Sequence, residues 1–136
     1  MTASPHHLTV RVYYEDTDLA GIVYYANYLK FIERGRTEAV RAMGVDQAAL
    51  RRDHGIVFAV RRIEADYLAP AAFDDLLTVT TVLTRMTGAR VWMRQEVTRD
   101  GTTLFSAEVT LAALGPGGRP ARLPAETRRR LTDGLV

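Results

Sequence analysis

The sequence predicts an α+β fold, in which antiparallel strands pack against one long helix. Residues 28 to 43 place apolar side chains three and four positions apart, which is the period of an amphipathic helix. After Ile56 the apolar spacing changes to two, and turn residues divide that part of the chain into four strands. A run of strands that follows helices is typical of the α+β class.

The long helix has one apolar side and one polar side. The small residues Gly35 and Ala39 lie on the apolar side, and they predict that the helix approaches the sheet closely. Gly44 follows at the position where a helix often ends in a left-handed residue. A first strand, with alternating Leu8, Val10 and Val12, precedes this helix.

Local signals predict the remaining elements. Asp46 is a candidate N-cap for a short second helix that ends at Gly55. The alternation shifts phase at Arg61 and Arg62, which predicts a β-bulge. Asp100-Gly101 predicts a two-residue hairpin turn between the last two strands.

The chain is expected to form a single domain over residues 1–136, since this length is typical of one domain. Residues 1–7 are predicted to be disordered. Residues 116–136 are predicted to form a C-terminal loop and a short helix that Pro124 opens.

Composition excludes several functional classes. The net charge of +2 is too small and too scattered for a nucleic-acid-binding surface. The absence of cysteine excludes disulfides and cysteine nucleophiles. The first residues, MTASPHHL, lack the apolar core of a signal peptide, and no apolar run approaches the ~18 residues of a membrane span. We therefore expect a soluble, cytoplasmic protein.

Residues 13–38 carry the functional signal. Asp16 and Asp18 precede the turn Leu19-Ala20-Gly21, and the long helix follows directly. A carboxylate in such a turn lies beside the free backbone N–H groups of a helix N-terminus, which attract partial negative charge.

This stretch, YYEDTDLAGIVYYANYLKFIERGRTE, resembles the hotdog-fold acyl-CoA thioesterases, most closely the Tol-Pal-associated (YbgC-like) branch. The resemblance extends from roughly residue 10 to residue 115 and implies a hotdog fold, an antiparallel sheet wrapped around one long helix. One position departs from the YbgC-like pattern, which has histidine where this chain has Tyr25. The 4-hydroxybenzoyl-CoA thioesterases of the same superfamily carry an aromatic residue there, so the acyl group stays open.

The resemblance implies hydrolysis of a small aliphatic or aromatic acyl-CoA to the free acid and coenzyme A, without a metal or an organic cofactor. Asp18 would be the catalytic carboxylate, either as general base or as nucleophile. The backbone N–H of Tyr25 would polarise the thioester carbonyl. Asp16 is interpreted as a residue that binds local backbone amides.

Three further residues are candidates for substrate binding by resemblance. Glu33 would lie near the distal end of the acyl group, or alternatively would pair with a neighbouring arginine. Arg85 and Arg90 flank the turn where relatives bind the nucleotide, and they would contact the phosphates of coenzyme A; a solvated surface is the alternative.

Two other functions compete with hydrolysis. A hydroxyacyl-thioester dehydratase on this fold would need a histidine, and His6, His7 and His54 are poorly placed for it. A non-catalytic subunit that binds acyl-CoA or an acyl-carrier protein, associated with an envelope complex such as Tol-Pal, is the second alternative. For a hotdog domain we expect a homodimer or homotetramer, since a long exposed edge strand is unfavourable in a monomer.

Overall fold

The computed structural model describes residues 5–134 and contains one five-stranded antiparallel sheet. The strands are β1 (His6–Arg11), β2 (Val57–Tyr67), β3 (Leu76–Met86), β4 (Arg90–Arg99) and β5 (Thr102–Leu114). The helices are α1 (Asn27–Ala42), α2 (Gln47–His54) and α3 (Ala125–Thr132), with short 3-10 turns at Tyr14–Asp16 and Pro116–Gly118. The strand order is β1-β3-β4-β5-β2, so the α+β prediction is confirmed.

Helix α1 packs across one face of the sheet, and its apolar side supplies the centre of the core. The approach is close at Gly35, where a Cβ atom would lie 2.6 Å from Cγ1 of Val79 on β3. Ala39, one turn later, is fully buried. The predicted contact of small helix residues with the sheet is therefore present. The largest apolar side chains buried between the layers include Phe31, Ile32, Leu77, Leu83, Met93 and Phe105.

A buried glutamine fixes the position of α1 over the sheet. Gln95 on β4 donates from Nε2 to the carbonyl of Ile32 at 2.8 Å and to Oγ1 of Thr81 at 2.9 Å. Its Oε1 accepts from the guanidinium of Arg36 at 3.2 Å, and burial lowers the pKa of this arginine. Because a buried amide without partners is costly, this network favours one height and rotation of α1.

The predicted caps and turns agree with the structure. Asp46 caps α2 by accepting the N–H of Ala49 at 3.0 Å, and Gly55 ends that helix with φ 66°. The pairing of β2 with β5 shifts between Val60 and Arg62, at the predicted bulge. Asp100 and Gly101 both have positive φ, 50° and 82°, as a two-residue hairpin requires.

Two boundaries differ from the predictions. β1 begins at His6, so His6 and His7 belong to the sheet and are not disordered; His7 pairs with Thr80 and lies within hydrogen-bond distance of its hydroxyl. Residues 1–4 of the predicted disordered segment, and residues 135–136 of the predicted C-terminal segment, lie outside the described residues. The alternation of Leu8, Val10 and Val12 predicts a first strand that includes Val12, whereas β1 ends at Arg11 and a 3-10 turn follows at Tyr14–Asp16.

β2 forms one edge of the sheet, and no other strand in residues 5–134 pairs with its outer side. This edge is eleven residues long and carries exposed apolar side chains, among them Val57, Val60 and Tyr67.

Within residues 5–134, no helix is long and apolar enough to cross a membrane.

Candidate active site

Asp18 opens a tight turn in a short hairpin between β1 and α1. Thr17 and Val23 form its bridge, and the N–H of Asp18 donates to the carbonyl of Ile22 at 2.9 Å. The Asp18 carbonyl accepts from Gly21 at 2.9 Å, while its Oδ1 accepts the N–H of Ala20 at 2.9 Å. The carboxylate is nonetheless exposed, so one side of it is held by the turn and the other faces outward.

Asp16 anchors the hairpin to the start of α1. Its Oδ2 accepts the N–H of Tyr13 at 2.7 Å, which confirms that this side chain binds a local amide. Its carbonyl accepts both the N–H of Tyr24 and the side-chain amide of Asn27, each at 2.9 Å. The two ends of the segment are therefore tied together, and Asp18 lies between them.

Tyr25 lies in a turn before α1. The helix begins at Asn27. The N–H of Tyr25, which was predicted at the helix N-terminus, therefore lies two residues before the first helical residue. The N–H groups of Tyr25 and Ala26 donate to no acceptor within residues 5–134. The Tyr25 carbonyl is occupied, because it accepts from the hydroxyl of Tyr67 at 2.9 Å. This turn therefore presents two free backbone donors from a peptide segment that is held in place.

The rings of Tyr24 and Tyr25 lie close to each other in the segment that follows the Asp18 turn. Their centroids are 4.9 Å apart. The Tyr25 hydroxyl is the main cause of a raised pKa at Tyr24, and the charge of Asp18 adds to the rise. The charge of Asp18 therefore reaches the Tyr24 hydroxyl.

An apolar cavity of about 320 Å³ adjoins Tyr25. It is lined by Ile22, Val23, Tyr25, Tyr28, Tyr67, Leu68, Ala69 and Pro70. Behind it the ring of Tyr28 stacks on Phe105 at 5.1 Å, and Tyr67 meets both rings edge-on. Such aromatic contacts make a rigid wall.

Glu33 lies in the second turn of α1, where it lines a second cavity. Glu33 is exposed and accepts from the Thr37 hydroxyl at 2.8 Å. No arginine of residues 5–134 lies within 4.0 Å of its carboxylate, although the charge of Glu33 partly offsets the lowering of the Arg36 pKa by burial. Glu33, Phe58 and Val60 help to line this second cavity, of about 230 Å³.

Arg85 and Arg90 lie at the opposite end of the sheet from Asp18. The Arg85 guanidinium is 4.5 Å from the centroid of Trp92, and Arg90 is exposed at the start of β4. The Asp18 hairpin lies near the first residue of β3, Leu76, whereas Arg85 is nine residues further on, or roughly 30 Å along a strand. Within one chain, Arg85 and Arg90 therefore lie far from Asp18.

Comparison with known proteins places the chain in a family. The Thioesterase superfamily matches residues 20–106, which is more than half of the chain. The chain belongs to this family. Membership confirms the prediction of a thioester-hydrolysing enzyme and, together with the sheet and its central helix, the prediction of a hotdog fold.

Relatives of this thioesterase agree over most of its length. It is 39% identical over 120 residues to the acyl-CoA thioesterase YbgC of Haemophilus influenzae, with 88% of each chain covered. It is 42% identical over 117 residues to the acyl-CoA thioester hydrolase YbgC of Escherichia coli O6:H1, covering 85% of this chain and 87% of the relative. The crystal structure of a probable thioesterase from Bartonella henselae superposes with a TM-score of 0.85 at 39% identity, covering 89% of this chain and all of the other.

Sequence reasoning about this thioesterase missed Tyr67. The spacing of two after Ile56 is consistent with Tyr67 at the end of a strand, but it does not indicate the bond from Tyr67 to Tyr25. The available signal was a tyrosine at the end of a strand immediately before Leu68-Ala69-Pro70, where phenylalanine would have packed as well. The phenolic hydroxyl is the part that reaches Tyr25.

Proposed function

We propose that this thioesterase hydrolyses a small aliphatic or aromatic acyl-CoA to the free acid and coenzyme A at the Asp18 hairpin. The observation that supports this is one juxtaposition. An exposed carboxylate and the free N–H of Tyr25 lie in the same tied segment, beside an apolar cavity. Thioester hydrolysis needs a group that activates water or attacks the carbonyl, and a donor for the oxygen that becomes negative.

Asp18 acts either as general base or as nucleophile. As a base it takes a proton from water while the water oxygen attacks the thioester carbonyl. As a nucleophile it forms a mixed anhydride that water then cleaves. Only Oδ1 accepts a hydrogen bond from residues 5–134, so the other carboxylate oxygen can reach the substrate. General-base help contributes about 10² to 10⁴-fold in rate.

The N–H of Tyr25 donates to the thioester oxygen as negative charge develops there. A donor without an internal partner suits this role, because it loses no existing bond when the substrate binds. One such donor contributes roughly 10² to 10³-fold in kcat. The acyl group lies in the apolar cavity that adjoins Tyr25, and the Tyr25 ring shapes the entrance of this cavity. Glu33 lies beyond the distal end of the acyl group.

The phosphates of coenzyme A bind Arg85 and Arg90 of a second copy of the chain. Within one chain these arginines are too far from Asp18, since about 30 Å of strand separates them. Pairing of two β2 edges in antiparallel orientation shortens this distance. A two-fold axis through the middle of β2 brings the partner's turn between β3 and β4 to the Tyr67 end of this strand.

Both cavities support the same dimer. Each includes residues of β2, Tyr67 in one and Val60 in the other, so a partner strand along this edge would wall both. The edge is long and apolar, and strands of this kind are normally covered. We therefore propose a homodimer, or a tetramer built from such dimers.

Release of free thiol from a panel of acyl-CoA compounds tests the activity. Short aliphatic, branched and benzoyl-type acyl-CoA are incubated with the purified protein, and coenzyme A is measured with a thiol reagent. At least one member should give steady turnover that saturates with substrate concentration. No turnover on any member, by a folded protein, would contradict the proposed activity.

A further inference from the structure

A phenolic hydroxyl holds the peptide turn that carries the proposed carbonyl-binding donor. We infer that Tyr67 is a positioning residue for thioester hydrolysis: its hydroxyl orients the Tyr25 turn without touching the substrate's reacting atoms. This inference rests on the proposed binding of the thioester carbonyl by the free N–H groups of the turn, of which the Ala26 N–H shares a peptide with the carbonyl that Tyr67 holds.

The hydrogen bond itself has only one possible direction. A carbonyl oxygen can only accept, so the hydroxyl of Tyr67 must donate to the Tyr25 carbonyl across the 2.9 Å that separates them. The bond joins residues 42 positions apart, from the end of β2 to the turn before α1. It therefore ties the turn to the rigid sheet.

Neighbouring bonds show why this one matters. Tyr24 is held on both sides, because its N–H donates to Asp16 and its carbonyl accepts from Asn27. Ala26 has no side chain that could cap α1. Within residues 5–134, the Tyr67 bond is the contact that holds the carbonyl of Tyr25. The Tyr25 carbonyl shares one planar peptide with the N–H of Ala26, so without the Tyr67 bond this peptide can rotate and the free Ala26 N–H loses its fixed direction. The Tyr25 N–H belongs to the preceding peptide, which Asn27 holds through the Tyr24 carbonyl.

The Tyr67 ring is itself fixed. It meets Phe105 edge-on at 5.0 Å and Tyr28 at 5.6 Å, and partial burial of this half-exposed side chain raises the pKa of its hydroxyl. The group therefore stays a protonated donor throughout the neutral range. A rigid, protonated donor is what positioning within a fraction of an ångström requires.

Substitution of Tyr67 by phenylalanine tests the inference, because it keeps the ring and removes only the hydroxyl. On the best acyl-CoA we expect kcat to fall about five- to tenfold, the size of one lost hydrogen bond, with KM within about twofold. Tyr14→Phe is the matched control: Tyr14 is 84% exposed, lies outside the site, and should turn over at the wild-type rate.

A spectroscopic readout separates positioning from a loss of stability. The C=O stretch of a ¹³C-labelled thioester is measured bound to Asp18→Asn, and to the double variant Asp18→Asn with Tyr67→Phe. Binding should lower the stretching frequency in the first protein and lower it less in the second. Equal frequencies, or a Tyr67→Phe enzyme with wild-type kcat, would overturn the role of Tyr67 while leaving the proposed activity intact. Wild-type protein that hydrolyses no acyl-CoA would overturn both.

Discussion

Asp18 has a structural role in its turn and a proposed role in catalysis. One carboxylate oxygen accepts the N–H of Ala20 and stabilises the turn, while the other accepts no hydrogen bond from residues 5–134. The turn bond orients the carboxylate, so this structural role is compatible with the proposed catalytic one. Asp16, two residues earlier, has its carboxylate engaged by Tyr13 and serves the hairpin alone.

The Tyr25 side chain should matter for acyl preference more than for rate. Only its backbone N–H is proposed to act in the reaction, and that group is unchanged in Tyr25→Phe. We expect this variant to keep kcat within about threefold on the best acyl-CoA, since no acid–base or oxyanion group is lost. Steady-state kinetics across the acyl-CoA panel measure this.

Tyr25→His is the companion variant, and it should change the order of preferred acyl groups because it reshapes the mouth of the cavity. A loss of ~10³-fold or more in kcat for Tyr25→Phe would contradict this account, because a loss of that size indicates that the hydroxyl takes part in the chemistry.

Among the elements, α1 depends on its close approach to the sheet at Gly35. An added Cβ would lie 2.6 Å from a methyl group of Val79, a buried β-branched side chain with little freedom to move. Gly35→Ala should therefore lower the free energy of unfolding by about 1 to 3 kcal/mol despite the better helix propensity of alanine. Urea unfolding measures this difference.

Lys30→Ala is the control for Gly35→Ala. Lys30 is an exposed residue of the same helix, and its replacement should change stability by no more than about 0.5 kcal/mol. An equally stable Gly35→Ala protein would show that α1 and β3 can separate without cost.

The loop before β3 should respond to acid through Asp75. The N–H of Ala72 and then the guanidinium of Arg99 lower the pKa of this carboxyl below its usual 3.8. Its stabilising contribution is therefore present above about pH 4 and is lost as the pH falls through the lowered value. Asp75→Asn should be less stable than wild type at neutral pH and should lose less stability on acidification.

Urea unfolding at about pH 7, 4 and 3 measures the acid response. Asp100→Asn removes the same charge from an exposed hairpin turn and is the matched control. Parallel pH profiles for wild type and Asp75→Asn would contradict a native-state role for this carboxylate.

Element types were predictable where a local signal acts alone. The Asp46 cap, the bulge next to Arg61 and the Asp100-Gly101 hairpin each depend on a few adjacent residues. The helical period over residues 28 to 43 also predicts the bounds of α1, Asn27 and Ala42, to within one residue. It does not predict that the Asn27 carboxamide and the Tyr24 N–H both bind the distant carbonyl of Asp16. Such nonlocal bonds leave no periodic trace.

At the scale of the whole molecule, the strand order β1-β3-β4-β5-β2 decides which residues can meet. It leaves β2 at an edge. Arg85 is far from the Asp18 hairpin because it lies at the other end of β3. The residue pattern of the hairpin singled out Asp18, which stays a prediction, and it did not indicate this separation. The contact of Tyr67 with Tyr25 was not predicted, because spacing along the chain does not show which distant segments meet.

Mixed dimers test the proposed sharing of sites. One variant is Asp18→Asn, and the other is the double variant Arg85→Ala with Arg90→Ala. Each alone should be strongly impaired at low substrate concentration. After mixing and exchange of subunits, one site in each hybrid dimer has both an intact Asp18 and intact arginines, so about a quarter of all sites should recover. Mixtures that show only the sum of the separate activities would contradict a site built from two chains.

Replacement of Asp18 by asparagine tests the central claim most directly. Asparagine has the same shape and can still accept the N–H of Ala20, so the melting temperature should stay nearly unchanged. It neither takes a proton from water nor attacks a thioester effectively. Asp16→Asn is the control and should cost more stability and less rate, because the Asp16 carboxylate holds the hairpin through Tyr13.

The deciding measurement is kcat of Asp18→Asn for release of coenzyme A from the best substrate. We predict a fall of roughly 10²-fold or more with KM little altered, which marks an interaction made in the transition state. Wild-type turnover by a folded Asp18→Asn protein would contradict the assignment and would move the chemistry to another residue.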